Sequence, residues 1–356
     1  MSRSTSAMSP PHPLPRTPRR VVERLAEYGR MARAAMLAQI PTTEPRAYLY
    51  DLVRDYPLRG GRGMRPALHM AAARAFGAGP GDATATAVAV ELLHNGLLVL
   101  DDIQDESEQR RGAPTLHRLH GIPLACNVGT AMSVMSLVPL LDNVAVCGPE
   151  VALAIFEEAI RMAQLCAEGQ SQDLGWRRDN RIDVTTREYL DMVLRKTSAY
   201  STIFPLSAGV MVGRRTTEVP AAVTRYAYLL GAAFQVQDDL LNVSGADLGY
   251  GKEPFGDLLE GKRTLLTIGL FERASPEERA WLRRYFGTPR TEKTPAQLRY
   301  VVELMRAYGV AEHTQRAVQS LVGAALAEAD EAFRGLPESL DLELLRYMPI
   351  WVIEQS

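Results

Sequence analysis

The sequence predicts an all-α protein, and two observations lead to that fold class. From Val21 almost to the C-terminus, apolar residues recur at three- and four-residue spacing with breaks at Pro or Gly, the period of helices that bury one face. No segment shows a convincing strand alternation, and no polar linker interrupts the chain after residue 20. A solenoid is the competing architecture, but no repeat of fixed period is present. We therefore expect residues 21–356 to form one bundle of roughly 10–14 helices.

The helix boundaries follow from this period and from the residues that interrupt it. Residues 1–20 are excluded, because five prolines lie there among serines and arginines, a composition that buries no core and predicts a disordered tail. The predicted helices span 21–40, 45–56, 63–77, 83–106, 123–146, 150–174, 186–204, 206–213, 219–243, 263–273, 276–286, 295–308, 310–334 and 339–352.

Composition narrows the class of protein. The chain is 46% hydrophobic with a net charge of −2, which gives no reason to expect nucleic acid or an anionic membrane as a partner. Cys126, Cys147 and Cys166 are isolated and are expected to be reduced. No apolar run approaches the ~18–20 residues that cross a bilayer, and the N-terminus lacks the apolar core of a secretion signal. We expect a cytoplasmic protein without a membrane span.

The helix that ends near residue 106 carries a first acidic cluster. At ~100° per residue, Asp101, Asp102 and Asp105 project from one side of this helix, and their mutual repulsion calls for a cationic partner. His94 and Glu91 continue the polar stripe upstream through an otherwise apolar helix. This pattern is typical of a helix that lines a cavity.

A second acidic cluster, Asp238-Asp239 with Asn242, ends another apolar run 137 residues later. A single cluster of this kind is usually only a solvated helix end. Two such faces on separate helices can meet across a bundle and hold divalent cations through oxygen ligands.

Cationic side chains lie in loops or helix ends near both clusters. They are Arg62 and Arg65 in a glycine-rich turn, Arg110 and Arg111, Lys196, and Lys252, Lys262 and Arg263. Carboxylates that bind metals, beside cations that bind an anion, suit a diphosphate complexed with Mg²⁺, because Mg²⁺ bridges carboxylate and phosphate oxygens. The apolar helices between these polar ends would enclose a hydrocarbon chain attached to the diphosphate.

With these motifs, the chain resembles the trans-isoprenyl diphosphate synthases, of the farnesyl and geranylgeranyl diphosphate synthase type. The resemblance runs from about Pro41 to Ile268 and depends on the order and spacing of its motifs. These are Gly60-Gly61-Arg62-Gly63-Met64-Arg65-Pro66, Glu91-Leu92-Leu93-His94 before Asp101-Asp102-x-x-Asp105, Arg110-Arg111-Gly112, Gly169-Gln170 with Gln172-Asp173-Leu174, Lys196-Thr197, Phe234 to Asp239, Gly251-Lys252, Asp257-Leu258 and Glu260 to Thr264.

The resemblance implies the isoprenoid synthase fold around a central cavity, a homodimer, and a prenyltransferase that uses three Mg²⁺ ions. Isopentenyl diphosphate would condense with an allylic diphosphate, namely dimethylallyl, geranyl or farnesyl diphosphate. The implied metal ligands are Asp101 and Asp105, supported by Asp102, and Asp238 from the opposite side.

The same resemblance implies two diphosphate subsites. The allylic diphosphate would be bound by Arg110, Lys196 and Lys252, with Lys262 near the same loop. The diphosphate of isopentenyl diphosphate would be bound by Arg62, Arg65, His94 and Arg111. Gln235, Thr197 and Phe234 would complete the site.

Three positions depart from the family pattern. Arg62 stands where Lys is usual, which keeps the charge but changes the donor geometry. Asn242 replaces the last aspartate of the second cluster, and Thr130 stands where an aspartate is common. None of these changes removes a residue that the chemistry requires.

The product length is expected from the positions just before Asp101. Bulky aromatics four or five residues upstream commonly close the tunnel in this family, whereas this chain has Leu97 and Gly96 there. We therefore expect geranylgeranyl rather than farnesyl diphosphate. Two rivals stay open: a terpene cyclase on the same fold, which needs no second diphosphate pocket, and a silent partner subunit, which would be expected to lose aspartates.

Overall fold

A computed structural model describes residues 15–244 and 254–354, and it confirms the all-α class. The α-helices are α1 (Arg19–Gln39), α2 (Asp51–Leu58), α3 (Met64–Ala75), α4 (Thr84–Gln104), α5 (Leu116–His120), α6 (Ile122–Met135), α7 (Asn143–Cys147), α8 (Pro149–Arg178), α9 (Thr186–Val193), α10 (Phe204–Arg214), α11 (Ala221–Ser244), α12 (Gly256–Glu260), α13 (Leu265–Arg273), α14 (Pro276–Gly287), α15 (Pro295–Ala307), α16 (Val310–Ala332) and α17 (Leu340–Ile353). Short π-helical segments (Arg46–Tyr50, Leu194–Ile203) and 3₁₀ turns (Pro139–Asp142, Arg290–Glu292) connect them.

Three predicted helices are interrupted. The stretch 123–146 divides into α6, the 3₁₀ turn at Pro139 and α7, because Pro139 lacks the N–H that would continue α6. The stretch 45–56 begins as a π-helical turn before α2, and 186–204 leaves the α-helical form at Leu194. These π-helical segments have only 5 and 10 residues, which is too short for their wider turn to show in the apolar pattern of the sequence.

Two smaller features differ from the expectation. An antiparallel ladder of two residues a strand, β1 (Gln109–Arg110) and β2 (Ala113–Pro114), follows α4. Strands this short show no alternation that a sequence can reveal. Helix α1 begins at Arg19, so residues 19 and 20 are not part of a disordered tail, and residues 1–14 lie outside the described residues.

The core is organised around α3, whose residues are almost all buried. Helix α10 crosses α3 at very short distance, because Gly209 has no side chain: a Cβ there would lie 2.6 Å from the Cβ of Ala72. The largest cluster of buried apolar residues runs from Val21 in α1 to Val352 in α17. Helices α4, α8 and α11 and the π-helical segment Leu194–Ile203 surround one cavity of about 980 Å³.

One helical stretch among the described residues, Ile122–Cys147, is long and apolar enough to cross a membrane by length and composition alone. The expectation that no apolar run reaches bilayer length was therefore wrong. A single stretch of this kind is weak evidence for a span, since the core helices of soluble proteins pass the same test. Here 39% of it is buried within the chain, and its helix is broken at Pro139.

Candidate active site

The two acidic clusters meet at one cavity. Asp101 near the end of α4 and Asp238 in α11 both line it, together with Gln170 of α8 and Lys196 of the π-helical segment. Helix α8 approaches that segment closely at Gly169, where a Cβ would lie 2.8 Å from the Cα of Lys196. The glycine therefore brings the lysine up to the acidic helix ends.

The three aspartates of the first cluster have different surroundings. Asp101 is half-buried at the cavity wall, with Lys196 Nζ 3.6 Å and Gln170 Nε2 3.4 Å from its Oδ1. Asp102 is fully buried and does not share that face, because it accepts hydrogen bonds from Tyr56 OH at 2.6 Å and from the Arg110 guanidinium. The prediction that all three project together is therefore wrong for Asp102, which braces the helix end.

Asp105 lies beneath two cations. Arg177 Nη2 is 2.9 Å from its Oδ1, and Lys262 Nζ is 2.7 Å from its Oδ2. Burial alone would raise the pKa of Asp105, but Lys262 and Arg177 outweigh burial and hold that pKa well below its usual value. The carboxylate is thus ionised, but it is buried and, like Asp102, does not line the cavity.

The second cluster divides its two aspartates in the same way. Asp238 lines the cavity, whereas Asp239 is buried and accepts from Tyr189 OH at 2.6 Å and from Gln235 Nε2 at 2.8 Å. Burial, reinforced by Asp257 and Asp238, raises the pKa of Asp239 to about 8. Thr197 donates to Gln235 Oε1 at 2.7 Å, so a chain of hydrogen bonds fixes this end of α11.

Lysines stand between the acidic groups. Lys196 Nζ donates to Asp173 Oδ2 at 2.6 Å, besides its contact with Asp101. Lys262 pairs with Glu260 at 2.8 Å and with Asp257 at 3.4 Å, besides Asp105. Lys252 lies outside the described residues.

Arg110, predicted to bind a diphosphate, is 7% exposed and is held by Asp102, with Asp101 3.8 Å away. It lines the cavity, but its guanidinium serves first to neutralise the buried carboxylate. Removal of either partner would leave the other as an uncompensated buried charge.

An arginine-rich subsite occupies the other end of the cavity, and we define it by Arg62, Arg65, His94 and Arg111. Arg65 donates to Tyr200 OH at 2.9 Å and to Ser201 Oγ at 3.1 Å, and lies 3.3 Å from the Nε2 of His94. Burial and the nearby arginines lower the pKa of His94 well below its usual value, so its ring is neutral. Arg111 donates to the carbonyl of Tyr56 at 2.7 Å and to Asn95 Oδ1 at 3.2 Å.

Apolar side chains of α4 and α8 form one part of the cavity wall, beginning one turn before Asp101, and we call this part the apolar pocket. It comprises Leu97 and Leu100 of α4 and Ala163, Cys166 and Ala167 of α8. Phe234 lines the same cavity, with its ring 5.9 Å from the Arg65 guanidinium carbon. A pocket of this composition suits a hydrocarbon chain.

Gly96 does not contribute to the pocket, contrary to the sequence argument. A Cβ there would lie 2.9 Å from the carbonyl oxygen of Gly129 and 3.0 Å from the Cβ of Met132. Helix α6 packs so closely on α4 here that a side chain at position 96 would not fit. Of Gly96 and Leu97, only Leu97 faces the cavity.

Several contributing residues were missed at the sequence level. Tyr56, Tyr189 and Tyr200 each donate to, or accept from, a predicted site residue, and Arg177 pairs with Asp105. Tyr56 and Tyr189 lie 46 and 50 residues from the aspartates that they contact. Only the tertiary fold brings them together.

The carboxylates fit Mg²⁺ in chemistry, since Asp101, Asp105 and Asp238 supply the hard oxygen ligands that this ion prefers. Both carboxylate oxygens of Asp105 are buried without a hydrogen bond other than their ion pairs. Within residues 15–244 and 254–354, no three His, Cys, Asp or Glu side chains cluster closely enough to enclose a metal by themselves. The remaining ligands would therefore be ligand oxygens and water.

An all-helical fold with two acidic helix ends, facing lysines, an arginine-rich subsite and an apolar pocket defines a class of enzyme that acts on prenyl diphosphates. The comparisons bear this out. The polyprenyl synthetase family model matches residues 46–305, and the chain belongs to this family. It is an isoprenoid synthase fold enzyme, a transferase.

Its relatives span most of its length. A short chain isoprenyl diphosphate synthase from Methanothermobacter thermautotrophicus is 32% identical over 94% of this chain and 99% of the relative. The crystal structure of geranylgeranyl pyrophosphate synthetase from Pyrococcus horikoshii superposes with a TM-score of 0.81 at 28% identity, covering 94% and 98%. That of geranylgeranyl pyrophosphate synthase from Corynebacterium glutamicum, complexed with isoprenyl diphosphate and magnesium, gives 0.77 at 25%, covering 94% and 98%.

The product names of the relatives differ. A farnesyl diphosphate synthase from Mycobacterium bovis is 38% identical over 58% of this chain and 55% of the relative. A geranylfarnesyl diphosphate synthase from Natronomonas pharaonis is 28% identical over 93% and 97%. Membership of the family therefore leaves the product length to be inferred from the site.

Proposed function

We propose that this enzyme condenses isopentenyl diphosphate with an allylic diphosphate, with the help of Mg²⁺, and that its main product is geranylgeranyl diphosphate. One observation supports this above all. Asp101 and Asp238 line a cavity that has an arginine-rich subsite at one end and the apolar pocket in its wall. One cavity thus offers places for two diphosphates and one hydrocarbon chain.

The proposed metal ligands are Asp101, Asp105 and Asp238, and three Mg²⁺ ions are expected. When bound, Mg²⁺ neutralises the charge that develops on the departing diphosphate. Asp102, held by Tyr56 and Arg110, keeps the end of α4 in place. Lys196 and Lys262 pair with Asp101 and Asp105, and they would supply positive charge to a diphosphate bound beside these carboxylates.

The reaction then proceeds on the substrates themselves. The allylic carbon–oxygen bond ionises to a carbocation, the double bond of isopentenyl diphosphate attacks it, and loss of a proton completes the extended chain. Arg65, Arg111 and the uncharged ring of His94 hold the diphosphate of isopentenyl diphosphate. Thr197 and Gln235, hydrogen-bonded to each other, present fixed oxygen dipoles nearby. The apolar walls exclude water, which would otherwise quench the carbocation.

The product length is inferred from the apolar pocket. Its wall residues on α4 and α8 are Leu97, Leu100, Ala163, Cys166 and Ala167, which carry no aromatic ring. Aliphatic and small side chains leave space for a growing chain where an aromatic ring would stop it. This favours geranylgeranyl over farnesyl diphosphate and allows dimethylallyl, geranyl and farnesyl diphosphate as starters.

The two rival functions fit less well. A terpene cyclase has no use for the arginine-rich subsite, which is fully formed here. A silent subunit has no reason to keep both acidic helix ends.

The purified enzyme should be incubated with Mg²⁺, isopentenyl diphosphate and each allylic diphosphate, and the products analysed by chromatography after dephosphorylation. The proposal predicts a twenty-carbon prenyl alcohol and consumption of isopentenyl diphosphate. A cyclic hydrocarbon made without isopentenyl diphosphate, or no turnover with any starter, would contradict it.

We also propose a cytoplasmic homodimer. Apolar side chains are exposed together along α6 to α8, including Val134 (62% exposed), Val138 (64%) and Leu141 (62%). A second copy covering this face would bury them, and such a patch typically marks an interface. The three free cysteines suit a reducing compartment.

Sedimentation tests the dimer. The wild type should sediment as a dimer, and Val138→Lys combined with Leu141→Lys should shift it to a monomer. Leu58→Lys, at an equally exposed position on α2 (66% exposed), serves as the control and should leave the dimer intact. A monomeric wild type would refute the proposal.

A further inference from the structure

A fourth arginine, Arg33 of α1, stands at the arginine-rich subsite. It is half-buried and lines the same cavity as Arg62, Arg65 and Arg111. Helix α1 lies outside the motifs that carried the functional prediction. The tertiary fold, and not a sequence motif, therefore places Arg33 in the cavity wall.

Two glycines explain how α1 comes so close. Gly29 of α1 packs on Gly63 of the glycine-rich loop, where a Cβ on Gly63 would lie 2.5 Å from the Cα of Gly29. Gly63 also has φ +66°, a conformation that side chains disfavour. Arg33, one turn beyond Gly29, donates from Nη2 to the carbonyl of Gly61 at 3.1 Å.

The backbone at Gly61 lies between two guanidiniums. Arg33 binds its carbonyl oxygen, and Arg111 Nη2 lies 3.1 Å from the place that a Cβ would occupy. A guanidinium carries five N–H groups, and the contact with Gly61 uses one of those of Arg33. The two planar donor groups therefore flank one loop whose other side faces the cavity.

The charges at this end of the cavity do not balance. The arginine-rich subsite together with Arg33 contains four guanidiniums, whereas two carboxylates that line the same cavity, Glu91 and Asp238, act on Arg111 and Arg62 among the described residues. Burial, opposed by Glu91 and assisted by the neighbouring Arg110, Arg65 and Arg33, lowers the pKa of Arg111 to about 10. An excess of half-buried positive charge favours a bound anion of several charges.

We propose that Arg33 is a fourth guanidinium that binds the diphosphate group of the second, non-allylic substrate. The inference rests on the proposed function, since that function assigns isopentenyl diphosphate to this end of the cavity. Guanidinium groups match phosphate oxygens in planar, paired hydrogen bonds, so Arg33 adds a donor pair from the side of α1.

The test compares Arg33→Gln and Arg33→Lys with Arg30→Gln, an exposed position on the same helix. Steady-state kinetics should show that Arg33→Gln raises the KM for isopentenyl diphosphate about 10- to 100-fold, as expected for a lost hydrogen bond between charged groups. The KM for the allylic diphosphate should stay unchanged. Arg33→Lys should recover only part of the loss, because it keeps the charge but not the planar donor pair, and Arg30→Gln should behave as the wild type.

A second readout does not depend on turnover. Calorimetric titration of isopentenyl diphosphate into the metal-free enzyme should give a Kd that rises by the same factor in Arg33→Gln. An unchanged KM and Kd would overturn the inference, and so would an equal rise in KM for both substrates, which would indicate a brace for the loop. If the wild type neither binds nor consumes isopentenyl diphosphate, the proposed function itself fails.

Discussion

Gly96 and Leu97 are neighbours in sequence, but the structure gives them opposite roles. The perturbation that separates them is Gly96→Ala. The new Cβ would lie 2.9 Å from the carbonyl oxygen of Gly129, 3.0 Å from Met132 Cβ and 3.2 Å from Ser133 Oγ. The contact with the Gly129 carbonyl is to backbone, so α6 has to move away from α4.

The cost follows from this geometry. Overpacking of a tight contact costs about 1–3 kcal/mol, while Ala in place of Gly within a helix returns about 1 kcal/mol. We expect Gly96→Ala to lower the free energy of unfolding by up to about 2 kcal/mol. Its product should stay the same, because Gly96 does not line the cavity.

Leu97→Phe is the matched counterpart. Leu97 lines the cavity, so a phenyl ring there should shorten the product from geranylgeranyl towards farnesyl diphosphate and leave stability nearly unchanged. Both variants should be assayed by thermal unfolding and by chromatography of the dephosphorylated products. A shortened product from a fully stable Gly96→Ala, or an unchanged product from Leu97→Phe, would refute the reasoning.

Two further predictions concern groups behind the site. Tyr56→Phe removes the hydroxyl that donates to the buried Asp102, and should lower the free energy of unfolding by about 1.5–3 kcal/mol in urea, whereas Tyr48→Phe, 70% exposed, should have no effect; equal midpoints for the two variants would count against this bond. His69 is fully buried, and burial lowers its pKa to about 4, so the unfolded chain takes up a proton below pH 6.5 while the folded chain does not. The free energy of unfolding should therefore decrease by about 1.4 kcal/mol for each unit that the pH is lowered from 6.5 to 4. His69→Gln should lack this contribution. If the difference in free energy of unfolding between wild type and His69→Gln stayed constant from pH 7 to 5, the shifted pKa would be contradicted.

The helices and the acidic clusters could be predicted from sequence because both depend on local spacing. Helix α4 was expected at 83–106 and spans Thr84–Gln104, and its aspartates were recognised from their positions at its end. The same local rule failed at Leu194, because a π-helical turn changes the hydrogen bonding without changing the apolar pattern enough to be recognised.

The partners of the site residues could not be predicted from spacing. Helical projection placed Asp102 on the same face of α4 as Asp101, but Tyr56 and Arg110 bind Asp102 on the buried side of the helix. The small size of Gly96 was taken to widen the tunnel, whereas it allows α6 to pack directly against α4. In both cases the deciding atoms belong to another element of the fold.

In the proposed mechanism two acidic helix ends act together on one diphosphate, and the turnover of Asp238→Ala tests this most directly. With Mg²⁺, isopentenyl diphosphate and farnesyl diphosphate, Asp238→Ala should lose about 10³-fold in kcat, as should Asp101→Ala, because each removes a ligand for metal-assisted charge stabilisation. Circular dichroism should show an intact fold, and Asp183→Ala, far more exposed at the surface, should keep wild-type turnover. Near wild-type kcat in either Asp101→Ala or Asp238→Ala would contradict the account.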